Sequence, residues 1–246
     1  MTIPLLSQKP HLELVQREEE TGFAAPFEYY YDNHVTREDL MGESEPQDRL
    51  LRYLMDVLEW LYRSEGWYIA RNLNLYRVRQ RREKPIAPDV AVFKGVVLTH
   101  EPEEYIRSWT VETPDDIAPS VVFEIASDKT WRQDVRLKPP IYAAMGVPEY
   151  FFYDSRPTRK RGVGHRPGAV RLRGWFAQHG EAVAMTPDER GWLWSDELDS
   201  WLAPDGPLLR LYDRDGALRL TGQVAERAAK EQAWAKLRAA GIDPGD

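Results

Sequence analysis

Cysteine is absent from the 246 residues, which excludes disulfide scaffolds, thiolate zinc sites and cysteine nucleophiles and gives no hint of secretion. Long apolar runs are missing too. None approaches the ~20 residues that span a bilayer, and no basic region followed by an apolar stretch opens the chain, so neither a membrane helix nor a signal peptide is expected. The expected compartment is the cytoplasm. Histidine is sparse: His11, His34, His100, His165 and His179 are scattered, with no i, i+4 pair to make a transition-metal site. There is no G-x-S-x-G, no H-E-x-x-H and no Walker loop, and Gly162, Gly164 and Gly168 have the wrong spacing for G-x-G-x-x-G. Serine-hydrolase and nucleotide-binding chemistries lose their usual support.

Large apolar side chains are plentiful. Hydrophobic residues make up 42% of the chain and there are nine Trp, enough for an ordinary core in one large domain with appendages. Lys and Arg number 33 against 40 Asp and Glu, for a net charge of −7. The acidity is N-terminal: residues 1–48 hold eleven acids and three bases, so the remaining 198 balance at +1. Two later stretches are basic. Residues 71–84 carry Arg71, Arg77, Arg79, Arg81, Arg82 and Lys84 against Glu83, and residues 156–173 have seven bases and no acid. Such patches can meet phosphate backbones even on an acidic chain; the alternative is solvated loop and edge-strand charge.

Residues 1–40 have weak periodicity and read as an N-terminal arm. Pro46 then opens a segment in which Leu50, Leu54, Val57, Leu58 and Leu61 recur at helical spacing, ending near Gly66. Residues 67–79 are aromatic and β-branched, predicting a strand or hairpin. The runs P-D-V-A-V-F at 88–93 and S-V-V-F-E-I-A at 120–126 read as buried central strands, each holding one acid. Ile141 to Met145 reads as a helix stopped at Gly146, and Glu149 to Tyr153 as a further buried strand. This order is α/β. Short strands follow through 156–220, with a hairpin around Asp215 and Gly216, and residues 221–240 predict a helix. The expected divisions are an arm at 1–40, a main domain at 41–205, and a hairpin with a helical tail at 206–246.

The strand acids carry the functional argument. A carboxylate in an apolar run loses hydration and needs compensation. Neighbouring strands lie ~4.8 Å apart, close enough to bring Asp89 and Glu124 onto one cation, and hard oxygen ligands supplemented by water suit magnesium or manganese. Such an ion lowers the pKa of a bound water and neutralises a phosphoryl oxygen, which is the chemistry of phosphodiester hydrolysis. The bland alternatives are an Asp satisfied by backbone amides and a Glu paired with an arginine.

The pieces P-D-V-A-V-F at 88–93, V-V-F-E-I-A-S at 121–127, Asp134 followed by Lys138, and Y-A-A-M-G-V-P-E-Y-F at 142–151 resemble, in order and spacing, the Uma family. These are restriction-type endonucleases of bacteria within the PD-(D/E)xK nuclease superfamily. The likeness runs from the helix opened at Glu45 and Pro46 to L-R-A-A-G-I-D-P at 237–244. It implies a restriction endonuclease-like fold, a mixed central sheet flanked by helices with the site at one end of the strands. It implies Asp89 and Glu124 as metal ligands for Mg2+ or Mn2+, with Lys138 as the cation that orients water or stabilises the pentacovalent phosphate. In the wider superfamily a lysine stands two residues beyond the Glu, on the same face; here that position is Ala126.

The alternative for Asp134 and Lys138 is an ordinary i, i+4 ion pair worth ~0.3–0.5 kcal/mol. Because Pro139 and Pro140 follow Lys138, the helix is expected to break or begin there, so that Lys138 need not share a face with Asp134. Ser127 would touch phosphate or cap a turn, and Gln47, on the face of Leu50 and Leu51, would support the site from the side or simply start its helix. Arg79, Arg81, Arg82 and Lys84 are the expected phosphate contacts. The leading function is a divalent-metal-dependent DNA endonuclease acting as a homodimer. The rivals are a non-cutting nuclease-fold binding module and, far behind, a two-carboxylate carbohydrate enzyme with a carboxyl separation of ~5–9.5 Å.

Overall fold

The structure is a computed structural model, and it describes residues 45–77, 85–96, 106, 108–113, 116–127, 130–156 and 169–240. Helix α1 (Glu45–Tyr62) buries Leu50, Leu51, Leu54, Val57 and Leu58 completely. That stripe, at i, i+1, i+4, i+7 and i+8, is the core-facing side of an amphipathic helix. The chain then turns at Gly66, whose φ of +65° suits a residue without a Cβ.

Next come β1 (Tyr68–Arg71), β2 (Asn74–Tyr76), β3 (Val90–Phe93), β4 (Ser108–Thr110) and β5 (Val121–Ile125). Two short helices, α2 (Trp131–Arg136) and α3 (Lys138–Ala144), lead to β6 (Glu149–Tyr153), β7 (Leu172–Gln178) and β8 (Glu181–Ala184). Six strands form the central sheet in the order β1-β3-β5-β6-β7-β8. All neighbours are antiparallel except β5 and β6, so the sheet is mixed, and its parallel step is the one bridged by helices, as a parallel connection requires.

Side-chain alternation splits the interior in two. Val90, Val92, Val121, Phe123, Ile125 and Phe151 face α1. Ala91, Phe93, Val122, Ala126 and Phe152 face the other way, with Tyr142 of α3 packed on them. The first core is closed by a second sheet of β9 (Leu193–Ser195), β10 (Ser200–Asp205) and β11 (Leu208–Tyr212), which contributes Leu193, Leu202, Leu209 and Leu211. The expected division at 205/206 falls inside the β10–β11 hairpin, and both strands feed this core. Tyr62 fastens α1 to the closing sheet, its hydroxyl donating to the Leu198 carbonyl at 2.5 Å.

Helix α4 (Gly222–Ala239) docks by its first residue. Gly222 lies where a Cβ would come within 2.9 Å of Trp60, and its N–H donates to Asp56. Among the described residues these make four helices, none long and apolar enough to cross a membrane. The result is a mixed α/β fold with a central mixed sheet and a C-terminal helix.

Two sequence expectations are refined, and one strand was not anticipated. The stretch 67–79, read as a strand or hairpin, gives two strands among its described residues, and they do not pair with each other: Asn72, at φ +50°, turns the chain so that β1 joins β3 while β2 pairs in parallel with β4. The helix expected from Ile141 begins earlier, at Lys138, and α2 precedes it. Strand β4, only three residues long, carries no pattern of its own and exists through its pairing with β2.

One glycine is fixed by packing. A Cβ on Gly174 would sit 2.6 Å from Met185 Sδ, 2.9 Å from Leu193 Cδ1 and 3.0 Å from Phe151 Cε1, where the closing sheet meets β6 and β7. Gly174→Ala is therefore expected to destabilise the fold by about 1–3 kcal/mol through overpacking, read as a lower denaturation midpoint. An unchanged midpoint would mean that this junction has slack.

Candidate active site

Pro88 has no N–H to extend the ladder between β3 and β5. The register pairs Val90 with Phe123, and one further step puts Asp89 opposite Glu124, with both side chains on the α3 face because side-chain direction alternates along a strand. Beyond the last paired residue the Ile125 N–H needs an acceptor, and Asp89 supplies it through Oδ2 at 2.6 Å. Asp89 is thus fixed by the sheet's own backbone. Glu124 is buried at 3% exposure.

The cation comes from α3. Lys138 Nζ lies 2.6 Å from Glu124 Oε1 and 2.8 Å from Asp134 Oδ1. Asp134 is itself fully buried, with its Oδ2 accepting from the Thr130 hydroxyl and its carbonyl accepting from the Tyr150 hydroxyl. The expected break after Lys138 is present, since α2 ends at Arg136 and α3 restarts at Lys138. The expected loss of a shared face is not. Leu137 keeps helical angles, φ −98° and ψ −38°, so the chain's rotation carries through. The two prolines occupy the first turn of α3, where missing amide donors cost little. Ala126 sits beneath, 2% exposed, on the face that α3 covers. The structure thus brings Asp89, Glu124, Asp134 and Lys138 to one rim of the sheet.

Other expected residues fall elsewhere. Ser127 caps the turn into α2: its Oγ accepts the Thr130 N–H at 3.0 Å and lies 2.7 Å from the Thr130 hydroxyl. Gln47 lies on α1, half-buried, and among the described residues no hydrogen bond ties it to the acids. Its neighbour Asp48 approaches Arg71 at 3.5 Å, which places the start of α1 near the strand end where Asp89 sits. Arg79, Arg81, Arg82 and Lys84 lie outside the described residues. At the edges of the second basic stretch, Arg156 is bound to both oxygens of Asp154, and Arg171 donates to the Asp154 carbonyl.

One participant is not among the residues expected at the site. Tyr142, wholly buried, donates its hydroxyl to Glu124 Oε1 at 2.7 Å. Asp134, Lys138 and Tyr142 stand at i, i+4 and i+8, the spacing of one helical face, and that spacing was the available signal.

Electrostatics follow from burial. Desolvation pushes the Glu124 carboxyl up to about 8; Lys138 pulls against this, while Asp89 and Asp134 push with it. For Lys138, burial opposes the charged form, but Glu124 and Asp134 outweigh it and raise its pKa, so the ammonium stays protonated. The Tyr142 hydroxyl is held well above its usual range, first by burial and then by Glu124, and therefore acts as a neutral donor.

No group of three or more His, Cys, Asp or Glu side chains gathers into a metal cage among the described residues. The donors that do meet are two hard carboxylates, and among the described residues no hydrogen bond reaches Glu124 Oε2. This set fits an ion that takes few protein oxygens and keeps its waters, as Mg2+ does.

Comparison with known proteins places residues 25–194 in register with the Uma2 family, described as "Putative restriction endonuclease". A crystal structure of a "putative nuclease belonging to DUF820" from Anabaena variabilis is similar at 14% identity, with a TM-score of 0.42, over 66% of this chain and 73% of that one. No curated protein matches the chain.

Proposed function

We propose that this chain, which belongs to the Uma2 family, is a divalent-metal-dependent endonuclease that hydrolyses DNA phosphodiester bonds. The observation that carries the reading is the meeting of Asp89 and Glu124 across adjacent strands with the Lys138 ammonium 2.6 Å from Glu124. Asp89 and Glu124 would hold Mg2+ or Mn2+, which when bound supplies an acidified water and charge neutralisation at phosphorus. Asp89, tied to the Ile125 N–H, contributes a ligand oriented by the sheet's backbone. Lys138, held protonated by its two carboxylates, presents a fixed positive charge where charge builds on the phosphoryl oxygens. Asp134 positions that ammonium rather than touching substrate.

The bases of 71–84, with Arg79, Arg81, Arg82 and Lys84 among them, and those of 156–173 would contact backbone phosphates and set position rather than sequence. Two copies, each cutting one strand, would make a double-strand break, and a homodimer is part of the proposal.

The test is cleavage of supercoiled plasmid by the purified chain in Mg2+ or Mn2+, beside a chelator control and Asp89→Ala. Nicked or linear product from the unaltered protein alone, lost with chelator, is expected. Equal inactivity of protein and variant would overturn the enzyme reading in favour of a binding module.

A further inference from the structure

Glu124 is held asymmetrically. Its Oε1 receives both the Tyr142 hydroxyl, at 2.7 Å, and the Lys138 ammonium, at 2.6 Å, while no hydrogen bond reaches Oε2 among the described residues. Tyr142 lies one helical turn beyond Lys138 on α3, so the two donors descend side by side onto the strand. The phenol ring has no room to wander: it is 0% exposed and rests against the Tyr150 ring, centroids 5.0 Å apart.

We infer that Tyr142 is a positioning residue that, together with Lys138, occupies Glu124 Oε1 and commits the carboxylate to single-oxygen ligation through Oε2, biasing the site toward small octahedral divalent ions and against calcium. The inference rests on the metal site proposed above and adds its ion preference. The physical basis is ligand geometry. Mg2+ takes six ligands at ~2.0–2.1 Å and is served by one oxygen per carboxylate, whereas Ca2+ takes six to eight at ~2.3–2.6 Å and readily accepts a carboxylate through both oxygens. A carboxylate with one oxygen already engaged by two donors cannot offer both. Groups that orient a metal ligand typically change ion affinity by about 10–100-fold when removed.

Tyr142→Phe keeps the ring and deletes only the donor. Tyr150→Phe is the matched control, because the Tyr150 hydroxyl is equally buried but donates to the Asp134 carbonyl, not to Glu124. Calorimetric titration of the metal-free full chain with MgCl2 and with CaCl2 gives a Kd for each ion, and thermal melts monitor folding. The expected result is a shift of about tenfold in the Kd ratio toward calcium for Tyr142→Phe, with the Tyr150→Phe ratio equal to that of the unaltered protein. An unchanged ratio in Tyr142→Phe overturns the inference and leaves the metal site standing. An equal shift in both variants overturns it too, since it assigns the effect to core packing. Failure of the unaltered chain to bind either ion overturns the metal site and this inference together.

Discussion

Replacing Lys138 with methionine is expected to lower DNA cleavage by about 10²–10³-fold and the free energy of unfolding by about 3–5 kcal/mol. On a solvated helix the Asp134–Lys138 pair would contribute only a few tenths of a kcal/mol. Here Asp134 and Glu124 side chains are 1% and 4% exposed and Lys138 19%, so deleting the ammonium strands acids in a medium that solvates them poorly. Glu124 can answer by taking up a proton, since burial already favours its neutral form. Among the described residues, Asp134 then keeps the Thr130 hydroxyl as its one hydrogen-bonding side-chain partner. Denaturation and plasmid cleavage, measured on the same preparation at about pH 7.5, where the ammonium of the unaltered chain is charged, check both halves. Loss of cleavage with unchanged stability would show that the ion pair is energetically idle. Loss of stability with full cleavage would remove Lys138 from the chemistry. Lys138→Arg sharpens the distinction: it keeps the charge but spreads it over a planar fork, so it should recover more stability than activity.

The architecture was legible where burial and periodicity agree. The five fully buried residues of α1 recur at helical spacing, and the predominantly apolar runs around Ala91 and Phe123 have no stable place except between two layers. The strand acids were legible for the complementary reason, that a carboxylate in such a run needs an explanation. What the residue pattern hid was geometry across breaks. The Pro139–Pro140 pair does remove two amide donors, but backbone hydrogen bonding and backbone rotation are separable, and Leu137 preserves the second. Hence Lys138 reaches both acids. Tyr142 escaped because a tyrosine among Ile, Ala and Met reads as core, and only its partner reveals the hydroxyl's task. Strand β4 and the β1–β2 divergence depend on pairing between segments distant in the chain, which local propensity does not encode. The closing sheet of β9 to β11 was visible as turns and short strands, but not as the wall that completes the α1 core.

A second buried acid, at the opposite end of β5 and β6 from the candidate site, controls how stability responds to pH. Glu149 opens β6 beside Val121 and receives the Ser195 hydroxyl, the Asp196 N–H at 2.8 Å and the Glu197 N–H at 3.4 Å. Burial pushes its carboxyl up to about 7 from an ordinary 4.5, outweighing the three donors that favour the charged form. A raised acid is protonated in the folded chain when the unfolded chain has already lost its proton. Its contribution is therefore fully present below pH 4.5 and is lost as pH rises toward 7, after which it is flat. Since a tenfold change in a protonation equilibrium is worth ~1.4 kcal/mol, the loss between those two values is on the order of 3 kcal/mol. Glu149→Gln keeps the shape and the acceptor for Asp196 but cannot ionise. Its stability relative to the unaltered chain is expected to rise by about 2–3 kcal/mol between about pH 5 and pH 8, measured by chemical denaturation in chelator so that no ion acts at Glu124. Glu124 is raised in the same direction, so the unaltered chain and the variant share its slope and the difference isolates Glu149. Parallel stability curves for the two proteins across that range would mean that Ser195 and the two amides hold the carboxylate charged in the folded chain, and that the link between the central and closing sheets is an ionised acceptor instead of a buried acid.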